Sequence, residues 1–583
     1  MNMSNLLRQY YVFPAAGFIQ FPNLCGYLTY TDSGDETTDQ ERPPLKHGWR
    51  IDGATFGVYY WAIPMSIHPC APMNIHVKLP DQTEWPPELW GPLGARDSVH
   101  MSDQRIRSLG ISKHLTRALD LWWERDPSAV EAYKNLPFGS LINCKDIKSN
   151  VEDMSFEYLP NWGLEELLLT PAELQTMWGF KQMPEAINIE ELQAERQIQA
   201  SISLVWFLDS SGSRNQYVFK GRAKINALYH EIKMLLSIPS HPNIIKGPVY
   251  LVTTGKSSVD GQDRVCGFLL PYHEAGALQE ALPRMRLRGE LKLQDQIRWS
   301  RQITAALQHV MSSPALFYSD LKMDNILLGH AEDEVLNVVL SDFEQSRSFY
   351  NWAPPEVYYI EWIAELGHEK IARSGLIDNA TSEKYCSLFY RYLLSKRQSS
   401  IATQKRKYDN PPNGWYFPWL LSSPAEREAH LVYSLGKVLW CIFEGEGDAD
   451  IILGRSLLID ADRTFPEFNA TPPPIQDLIK RCTAGAREWK DGTIGIVRRG
   501  GQVYPLGRSG AGGEPTATLE ETKDAIKSFW QSEMVKAERH ALASIAYNMG
   551  KAQESDIELL DYLHRPKILE VLETLHQFSL PPL

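Results

Sequence analysis

The sequence predicts a two-lobed α+β fold in which a small β-rich lobe with one main helix precedes a larger helical lobe. Two strand-like runs, "SISLVWFLD" and "QYVFKG", stand before a run with apolar residues at helical steps of three and four. From Leu278 onward the apolar pattern is mainly helical. Because 583 residues exceed what one hydrophobic core usually supports, we expect a separate N-terminal domain of mixed α/β content.

Residues 1–185 are interpreted as this uncharacterised N-terminal domain. "WRIDGATFGVYYWAIPMSI" and "MNIHVKL" alternate apolar and polar residues, which is typical of short strands, and residues 112–136 have a helical pattern. His68, Cys70 and His76 are close enough in sequence to suggest a metal site but lack a fourth ligand, so we interpret them as ordinary strand residues. No motif in this part carries chemistry.

Changes in composition divide the two lobes from each other and from the C-terminal segments. Four strand-like runs and the amphipathic helix "AKINALYHEIKMLLSI" define the small lobe, and a glycine-rich stretch interrupts the helical part. The predicted segments are the small lobe at 188–273, the helical lobe at 274–500 with an insertion at 357–429, a Gly-rich linker at 501–515, and a helical C-terminal extension at 516–583.

Charge and cysteine usage limit the partners and the compartment. A net charge of −13 and a pI of about 5.7 argue against nucleic acid and anionic membranes as partners. The seven cysteines include no CxxC pair, which suits a reducing compartment. The N-terminus has no basic leader, and the apolar segment 431–445 is too short to span a bilayer, so it predicts a buried helix. We expect an intracellular protein, cytoplasmic or nuclear, of unknown oligomeric state.

The stretch "FYSDLKMDNILL" places three polar groups, Asp320, Lys322 and Asn325, between apolar residues. A carboxylate can accept a hydroxyl proton, a lysine can neutralise a phosphate, and an amide oxygen can ligate Mg²⁺. Seventeen residues after Asn325, an apolar strand-like run delivers Asp342 into a turn, where it would complete a hard-oxygen site. The pattern indicates phosphoryl transfer.

A second pair of charges stands upstream. Lys220 ends the strand-like run "QYVFKG", and Glu231 follows eleven residues later on the amphipathic helix. An ion pair between them would aim the lysine ammonium at nucleotide phosphates.

These motifs, with "SHPNII", "GFLLPYHEAGAL", "SDFEQ", "APPEV" and "VYSLGKVLWCIFEG", resemble the successive landmarks of eukaryotic-type protein kinases, in family order, over about residues 190–500. The short segment between Asp342 and Glu356 is similar to that of divergent, fungal-type members. Lys322, two residues after Asp320, is similar to the serine/threonine branch. The resemblance implies a protein-kinase-like fold and Mg²⁺·ATP-dependent phosphoryl transfer to serine or threonine of a protein substrate.

The resemblance also implies a role for each matching residue. In the small lobe, Lys220 would contact the α- and β-phosphates of ATP, and Glu231 would hold it. The remaining nucleotide contacts would come from Leu270 as gatekeeper and from the hinge residues Pro271, Tyr272 and His273, whose backbone would meet adenine.

In the helical lobe, Asp320 would be the catalytic base and Lys322 would support the transferred phosphoryl group. Asn325 and Asp342 would bind Mg²⁺. Glu356 of "APPE" would be the structural acid that closes the activation segment.

The chain departs from the family pattern at the phosphate-binding loop and before the base. "ERQIQASISLVWF" contains no glycine, and Gln197 and Gln199 should keep the backbone from approaching the phosphates closely, so we expect weaker nucleotide affinity. Tyr318 and Ser319 replace the usual His-Arg, and only thirteen residues separate Asp342 from Glu356. We therefore expect activity that does not depend on phosphorylation of this segment, and that phosphatase treatment leaves intact.

Two further positions depart from the kinase pattern, and a third matches one of its structural residues. Glu344 replaces the glycine after Asp-Phe and should restrict the backbone flip that switches many kinases off. Leu431 stands where an aspartate usually braces the catalytic loop, and another residue of the 357–429 insertion is a candidate substitute. Arg487 resembles the buried structural arginine of the family.

Two alternatives stay open at this stage. The missing glycines and the missing acid at position 431 favour a pseudokinase scaffold that binds nucleotide or partners with little turnover, although every polar catalytic position is filled. The second alternative is a small-molecule phosphotransferase, because related folds share the Asp…Asn loop.

Overall fold

The computed structural model describes most of the chain. The described residues are 46–55, 58–81, 84–89, 101–208, 212–221, 224–256, 261–330, 335–345, 352–368, 378–397, 417–449, 465–490, 496–499, 502–505 and 518–578. They form a mixed α+β protein with several sheets, as predicted. The chain divides into two compact units, one with described residues 46–236 and 246–272, the other with 237–245 and 273–578.

The first unit begins with a five-stranded sheet in the order β1-β2-β3-β4-β5. Its strands and two helices are β1 (Trp49–Thr55), β2 (Tyr59–Pro64), β3 (His76–Lys78), α1 (Met101–Arg125), α2 (Pro127–Lys134), β4 (Leu141–Cys144) and β5 (Phe156–Leu159). All neighbouring strands are antiparallel except β3 and β4. Helix α1 packs on this sheet through Leu115, Leu119 and Trp123, which are buried with Trp49 and Val77. The predicted strands are therefore present, whereas the predicted helical stretch 112–136 is divided at Asp126 into the end of α1 and the whole of α2.

A six-stranded sheet completes this unit, in the order β6-β10-β11-β9-β8-β7. Its elements, with three helices that precede or accompany it, are α3 (Trp162–Glu165), α4 (Pro171–Trp178), β6 (Ala186–Asn188), β7 (Gln193–Gln199), β8 (Ile202–Leu208), β9 (Arg214–Gly221), α5 (Ile225–Ser237), β10 (Tyr250–Lys256) and β11 (Asp263–Pro271). Helix α5 buries the predicted apolar stripe Ile225, Leu228, Ile232 and Leu235.

The segment before β6 already packs with this second sheet. The backbone nitrogen of Leu169 donates to the hydroxyl of Tyr229 on α5 at 2.7 Å, and Val265 of β11 donates to the carbonyl of Leu169 at 2.9 Å. Both sheets lie in one compact unit, so the domain boundary near residue 185 stays a prediction.

The second unit is mainly helical. Its elements are α6 (Leu278–Leu287), α7 (Leu293–Met311), β12 (Ile326–His330), β13 (Leu336–Leu340), α8 (Pro355–Leu366), α9 (Asn379–Ser395), α10 (Phe417–Leu421), α11 (Pro424–Glu444), α12 (Pro473–Cys482), α13 (Arg487–Lys490), β14 (Ile496–Arg499), β15 (Gln502–Pro505), α14 (Leu519–Asn548), α15 (Glu554–Ile557) and α16 (Ile568–Gln577).

Helix α11 is the buried helix expected at 431–445. It begins with a capping box in which the hydroxyl of Ser423 and the carboxylate of Glu426 bond each other's backbone N–H groups. It ends at Gly445, whose φ of +72° is the left-handed conformation that glycine adopts most readily. Nearly all of its residues are buried. None of the helices in the described part of the chain combines the length and apolar character that a bilayer crossing requires.

The C-terminal helices are part of this core. Trp530, Ala537 and Ala541 of α14 are buried against Trp362 of α8 and Tyr392 of α9. Helix α14 thus shares one apolar core with two helices of the predicted insertion.

Some predicted segments fall largely outside the described residues. They are the N-terminus up to residue 45, residues 398–416 of the insertion, and most of the Gly-rich linker, of which β15 covers the first positions. The bounds of the linker and of the C-terminal extension therefore stay predictions.

Candidate functional site

The predicted pair of Lys220 and Glu231 lies on two elements of the first unit. Lys220 is near the end of β9, a strand flanked by β8 and β11, and Glu231 is in the middle of α5. The lysine Nζ is 2.8 Å from both carboxylate oxygens. Both side chains are buried, at 5% and 0% exposure, so neither charge is stable there without the other.

The predicted gatekeeper, Leu270, shares a sheet face with this lysine. Leu270 on β11 lies opposite Val218 on β9, two residues before Lys220, and side chains two apart on a strand point to the same face. Pro271 follows opposite Tyr217, and the hydroxyl of Tyr272 is 3.5 Å from Nη2 of Arg196.

The last predicted hinge residue, His273, begins the second unit. Its carbonyl accepts a hydrogen bond from the backbone nitrogen of Gly276 at 3.1 Å, and burial lowers the pKa of its imidazole. The predicted nucleotide residues up to Tyr272 therefore belong to the first unit, and those from His273 onward to the second.

In the second unit, the three polar residues of "SDLKMDN" are in mutual contact. Oδ2 of Asp320 is 3.2 Å from Nζ of Lys322 and accepts a hydrogen bond of 3.2 Å from Nδ2 of Asn325. The same amide nitrogen donates to the backbone carbonyl of Asp320 at 2.8 Å. The lysine also lies 3.1 Å from the carboxylate of Asp324. The other oxygen of Asp320, Oδ1, is buried and has no hydrogen-bond partner among the described residues.

The electrostatics of this cluster raise the proton affinity of Asp320. Burial raises the pKa of Asp320 to about 6, Asp342 and Asp324 add to the effect, and Lys322 opposes it. Burial alone would lower the pKa of Lys322, but the surrounding carboxylates raise it above its ordinary value, so the lysine stays charged. Asp320 is therefore a carboxylate at neutral pH with a higher proton affinity than an exposed aspartate.

Ser341, the residue between β13 and Asp342, holds Asp342 beside Asn325. The backbone nitrogen and the hydroxyl of Ser341 both bond the carbonyl of Asn325, at 2.9 and 3.0 Å. The hydroxyl of Tyr318, two residues before Asp320, donates to the carbonyl of Ser341. Asp342 itself has a φ of +61°, a conformation that non-glycine residues seldom adopt and that is common at functional sites.

These residues fit a divalent cation by donor chemistry. The nitrogen of the Asn325 amide is used by Asp320, which leaves its oxygen Oδ1 as the ligand atom. The carboxylate of Asp342 supplies a second hard oxygen. Few protein oxygens and several retained waters are what Mg²⁺ prefers.

Residues of the insertion pack against Phe317, three residues before Asp320. The ring of Phe317 stacks on Trp419 at a centroid distance of 5.2 Å, and the guanidinium of Arg427 is 5.2 Å from the same ring. Nε of Arg427 donates to the carbonyl of Trp419 at 2.8 Å. Leu431, one turn further along α11, is buried. Within the described insertion, Trp419 and Arg427 both contact Phe317, so they are the candidates for the substitute support, whose role stays a prediction.

A second set of contacts comes from the segment after Asp342. Nε2 of Gln345 donates to the carbonyls of Ala315 and Phe317, at 2.7 and 2.8 Å. It thereby ties the segment after Asp342 to the residues that precede Asp320.

Glu356 is bound by an arginine that the sequence did not indicate. Nη1 and Nη2 of Arg565 lie 2.5 and 3.3 Å from the two carboxylate oxygens of Glu356. Burial alone would raise the pKa of Glu356, but Arg565 and its neighbours lower it to about 2. Arg487, the candidate structural arginine, instead pairs with Glu533 of α14, with Nε 2.7 Å from the carboxylate.

Comparisons with models of known protein families and with curated proteins found no match.

Proposed function

We propose that this chain is a divergent, serine/threonine-type protein kinase with a two-lobed kinase-like fold. The observation that carries the proposal is the contact cluster of Asp320, Lys322 and Asn325, held beside Asp342 through Ser341. A solvated turn would not bury a carboxylate oxygen without a partner. The order of the elements, a sheet with one main helix followed by a helical unit, supports the same proposal.

The proposed roles follow from the environment of each side chain. The open Oδ1 of Asp320 accepts the proton of the substrate hydroxyl, and its raised pKa makes it a better base. Lys322 stays charged and stabilises negative charge on the transferred phosphoryl group. Glu231, paired with Lys220 at 2.8 Å, positions the lysine for the α- and β-phosphates.

Asn325 and Asp342 would hold Mg²⁺, which would neutralise negative charge on the nucleotide phosphates when bound. Ser341 and Tyr318 orient these two ligands, since their hydrogen bonds join the two loops that carry them.

One observation favours the scaffold as the second candidate. In the proposed fold the hairpin of β7 and β8 would stand where the family has its glycine-rich loop. The backbone nitrogen of Gln197 in it donates to Asp52 at 2.6 Å. That N–H group is not available to a phosphate. A nucleotide would therefore meet fewer backbone donors than in a glycine loop.

The test is transfer of label from γ-labelled ATP with Mg²⁺ by the purified full-length protein to a protein substrate such as casein. We expect labelled protein with the wild type and none with Asp320→Asn. Asp324→Asn is the matched control, because Asp324 also contacts Lys322 but does not carry the buried open oxygen. It should retain transfer within about tenfold.

The alternatives give different results in the same assay. Binding of Mg²⁺·ATP without transfer by the wild type would contradict the kinase and support the scaffold. Label that enters small hydroxyl compounds and not protein would support the small-molecule phosphotransferase.

A further inference from the structure

The outer edge of β7 is covered by the N-terminal module, which we define as residues 46–159. Strand β7 is the edge strand of its sheet, so its outward backbone groups have no partner strand there. The backbone nitrogen of Ala194 donates to the carbonyl of Cys70 at 2.8 Å, and the carbonyl of Ala194 is 2.9 Å from Nε2 of His68. His68 and Cys70 thus contact the hairpin strand that stands in for the glycine-rich loop.

Asp52 is the central side chain of this contact. It is 5% exposed, and its two oxygens lie 2.5 and 3.0 Å from Nε and Nη2 of Arg50. Oδ2 also accepts the 2.6 Å hydrogen bond from the backbone nitrogen of Gln197. Arg50 in turn donates to the carbonyl of Glu195 at 2.6 Å. A charged pair from β1 therefore binds the backbone of β7 at two positions.

The side chain of Gln197 is fixed by the same module. Its Nε2 donates to the carbonyl of Ala200 at the hairpin turn, at 3.1 Å, and lies 2.8 Å from Nε2 of His76. Burial lowers the pKa of His76 to about 4, so its ring is neutral and can accept this bond. The side chain of Gln197 on β7 therefore hydrogen-bonds the hairpin turn that follows the same strand.

The module also contacts the strand that carries Lys220. Nδ2 of Asn74 donates to the carbonyl of Gly221 at 2.8 Å. The nitrogen of Gly221 donates to the carbonyl of Ser201, at the hairpin turn, at 3.0 Å. The hairpin turn and the end of the lysine strand are thus joined to each other and to residues 46–159.

We infer that Asp52 is a positioning residue for nucleotide binding, through which the N-terminal module sets the place of the β7–β8 hairpin. This inference rests on the proposed kinase function. A glycine-rich loop binds phosphate by adapting its backbone, whereas this hairpin is held in one place by side chains from outside the sheet. Nucleotide affinity then depends on a residue that touches no nucleotide.

The test compares Asp52→Asn with Asp120→Asn in the full-length protein. Asp120 is a similarly buried carboxylate of the same module that accepts three backbone N–H groups, from residues 46 to 48, which lie outside the hairpin. We expect Asp52→Asn to raise the Kd and the KM for Mg²⁺·ATP by about tenfold, because one charge-assisted bond is weakened. Its kcat at saturating ATP should stay within about threefold of the wild type, and Asp120→Asn should leave Kd and KM unchanged.

Hydrogen exchange of the amides of residues 193–203 shows whether the hairpin itself has been released. Faster exchange there in Asp52→Asn, with unchanged exchange in α5, is expected alongside the weaker binding. Wild-type affinity for Mg²⁺·ATP in Asp52→Asn, despite faster exchange of the hairpin amides, would overturn this inference but not the proposed function. An equal loss of affinity in Asp52→Asn and Asp120→Asn would do the same. Failure of the wild type to bind Mg²⁺·ATP would overturn the proposed function, and this inference with it.

Discussion

A small number of buried polar side chains carries the chemistry that we propose. Asp320 combines a raised pKa with an oxygen that has no partner among the described residues, while Lys322 and Asn325 fix its other oxygen. Tyr318 has a role at this site that no local pattern predicted, since its hydroxyl joins the loop of the base to the residue before Asp342.

The variant Tyr318→Phe tests that link. Removing one neutral hydrogen bond should loosen Asp342 relative to Asn325 and raise the Mg²⁺ concentration for half-maximal transfer by about fivefold, with kcat at saturating Mg²⁺ nearly unchanged. Tyr229→Phe is the matched control, because its buried hydroxyl also bonds backbone groups, in the other unit. Identical Mg²⁺ dependence of the wild type and Tyr318→Phe would show that the bond does not position a metal ligand.

His430 predicts how stability changes with pH. Burial lowers the pKa of His430 to about 4, against 6.5 in the unfolded chain. Between these values the unfolded state binds one more proton than the folded state, so the histidine costs stability as the pH falls from 6.5 to 4. The loss is on the order of 3 kcal/mol. The pKa of Glu356 is lowered to about 2, so its ionised form stabilises the folded state. This stabilisation begins to be lost only below pH 4.5.

The measurement is the Tm of the wild type, His430→Gln and His564→Gln between pH 7.5 and 4.5. His430→Gln should lose less stability on acidification than the wild type does. His564 is exposed, so its variant should follow the wild-type profile. Parallel profiles for all three proteins would contradict a buried neutral role for His430.

At the scale of elements, local patterns predicted which strands and helices form and the short-range pair on them. Alternation and helical periodicity predicted β8, β9 and α5, and the eleven-residue spacing of Lys220 and Glu231 predicted their ion pair, which is present at 2.8 Å. No sequence pattern predicted contacts between residues that are far apart in the chain. Arg565 lies 209 residues after Glu356, and Gln197 lies 145 after Asp52, so only the folded chain reveals these pairs.

In the proposed kinase, Arg427 and Trp419 would take over the support that the missing carboxylate gives. Arg427→Leu would remove the bonds to the carbonyls of α10 and the guanidinium beside Phe317, which should let the catalytic loop shift. We expect kcat to fall by about tenfold or more while the Kd for Mg²⁺·ATP changes little, since misplacement of a base affects the transition state. Arg301→Leu is the control, because Arg301 also bonds backbone carbonyls of this unit, at Leu575 and Phe578. Equal kcat for Arg427→Leu and the wild type would contradict the claim that Arg427 supports the loop that carries Asp320.

At the scale of the whole molecule, the C-terminal helices complete the second unit. Helix α14 fills the core against α8 and α9, Arg565 binds Glu356, and Arg301 of α7 binds the carbonyl of Leu575 in α16. The extension predicted at 516–583 therefore contributes buried surface and charge partners to the helical unit.

A chain that ends at residue 517 should not fold a stable helical unit. Its amides in α8 should exchange at nearly the rate of unfolded chain, because the loss exposes one face of that core. The full-length variant Arg565→Met should be destabilised by about 3–5 kcal/mol, since it leaves the buried Glu356 without its charge partner. Lys384→Ala, which removes a partly exposed ion pair with Glu538, should cost under about 1 kcal/mol. Protection of α8 in the truncated chain equal to that in the full-length protein would contradict this account.

The most direct test of the central claim measures Mg²⁺·ATP binding and label transfer on the same preparations of wild type, Asp320→Asn and Lys220→Met. We predict that the wild type binds and transfers, that Asp320→Asn binds but transfers no label, and that Lys220→Met binds at least about tenfold more weakly. Equal binding by all three proteins, with no transfer by the wild type, would contradict the claim that this chain is a protein kinase.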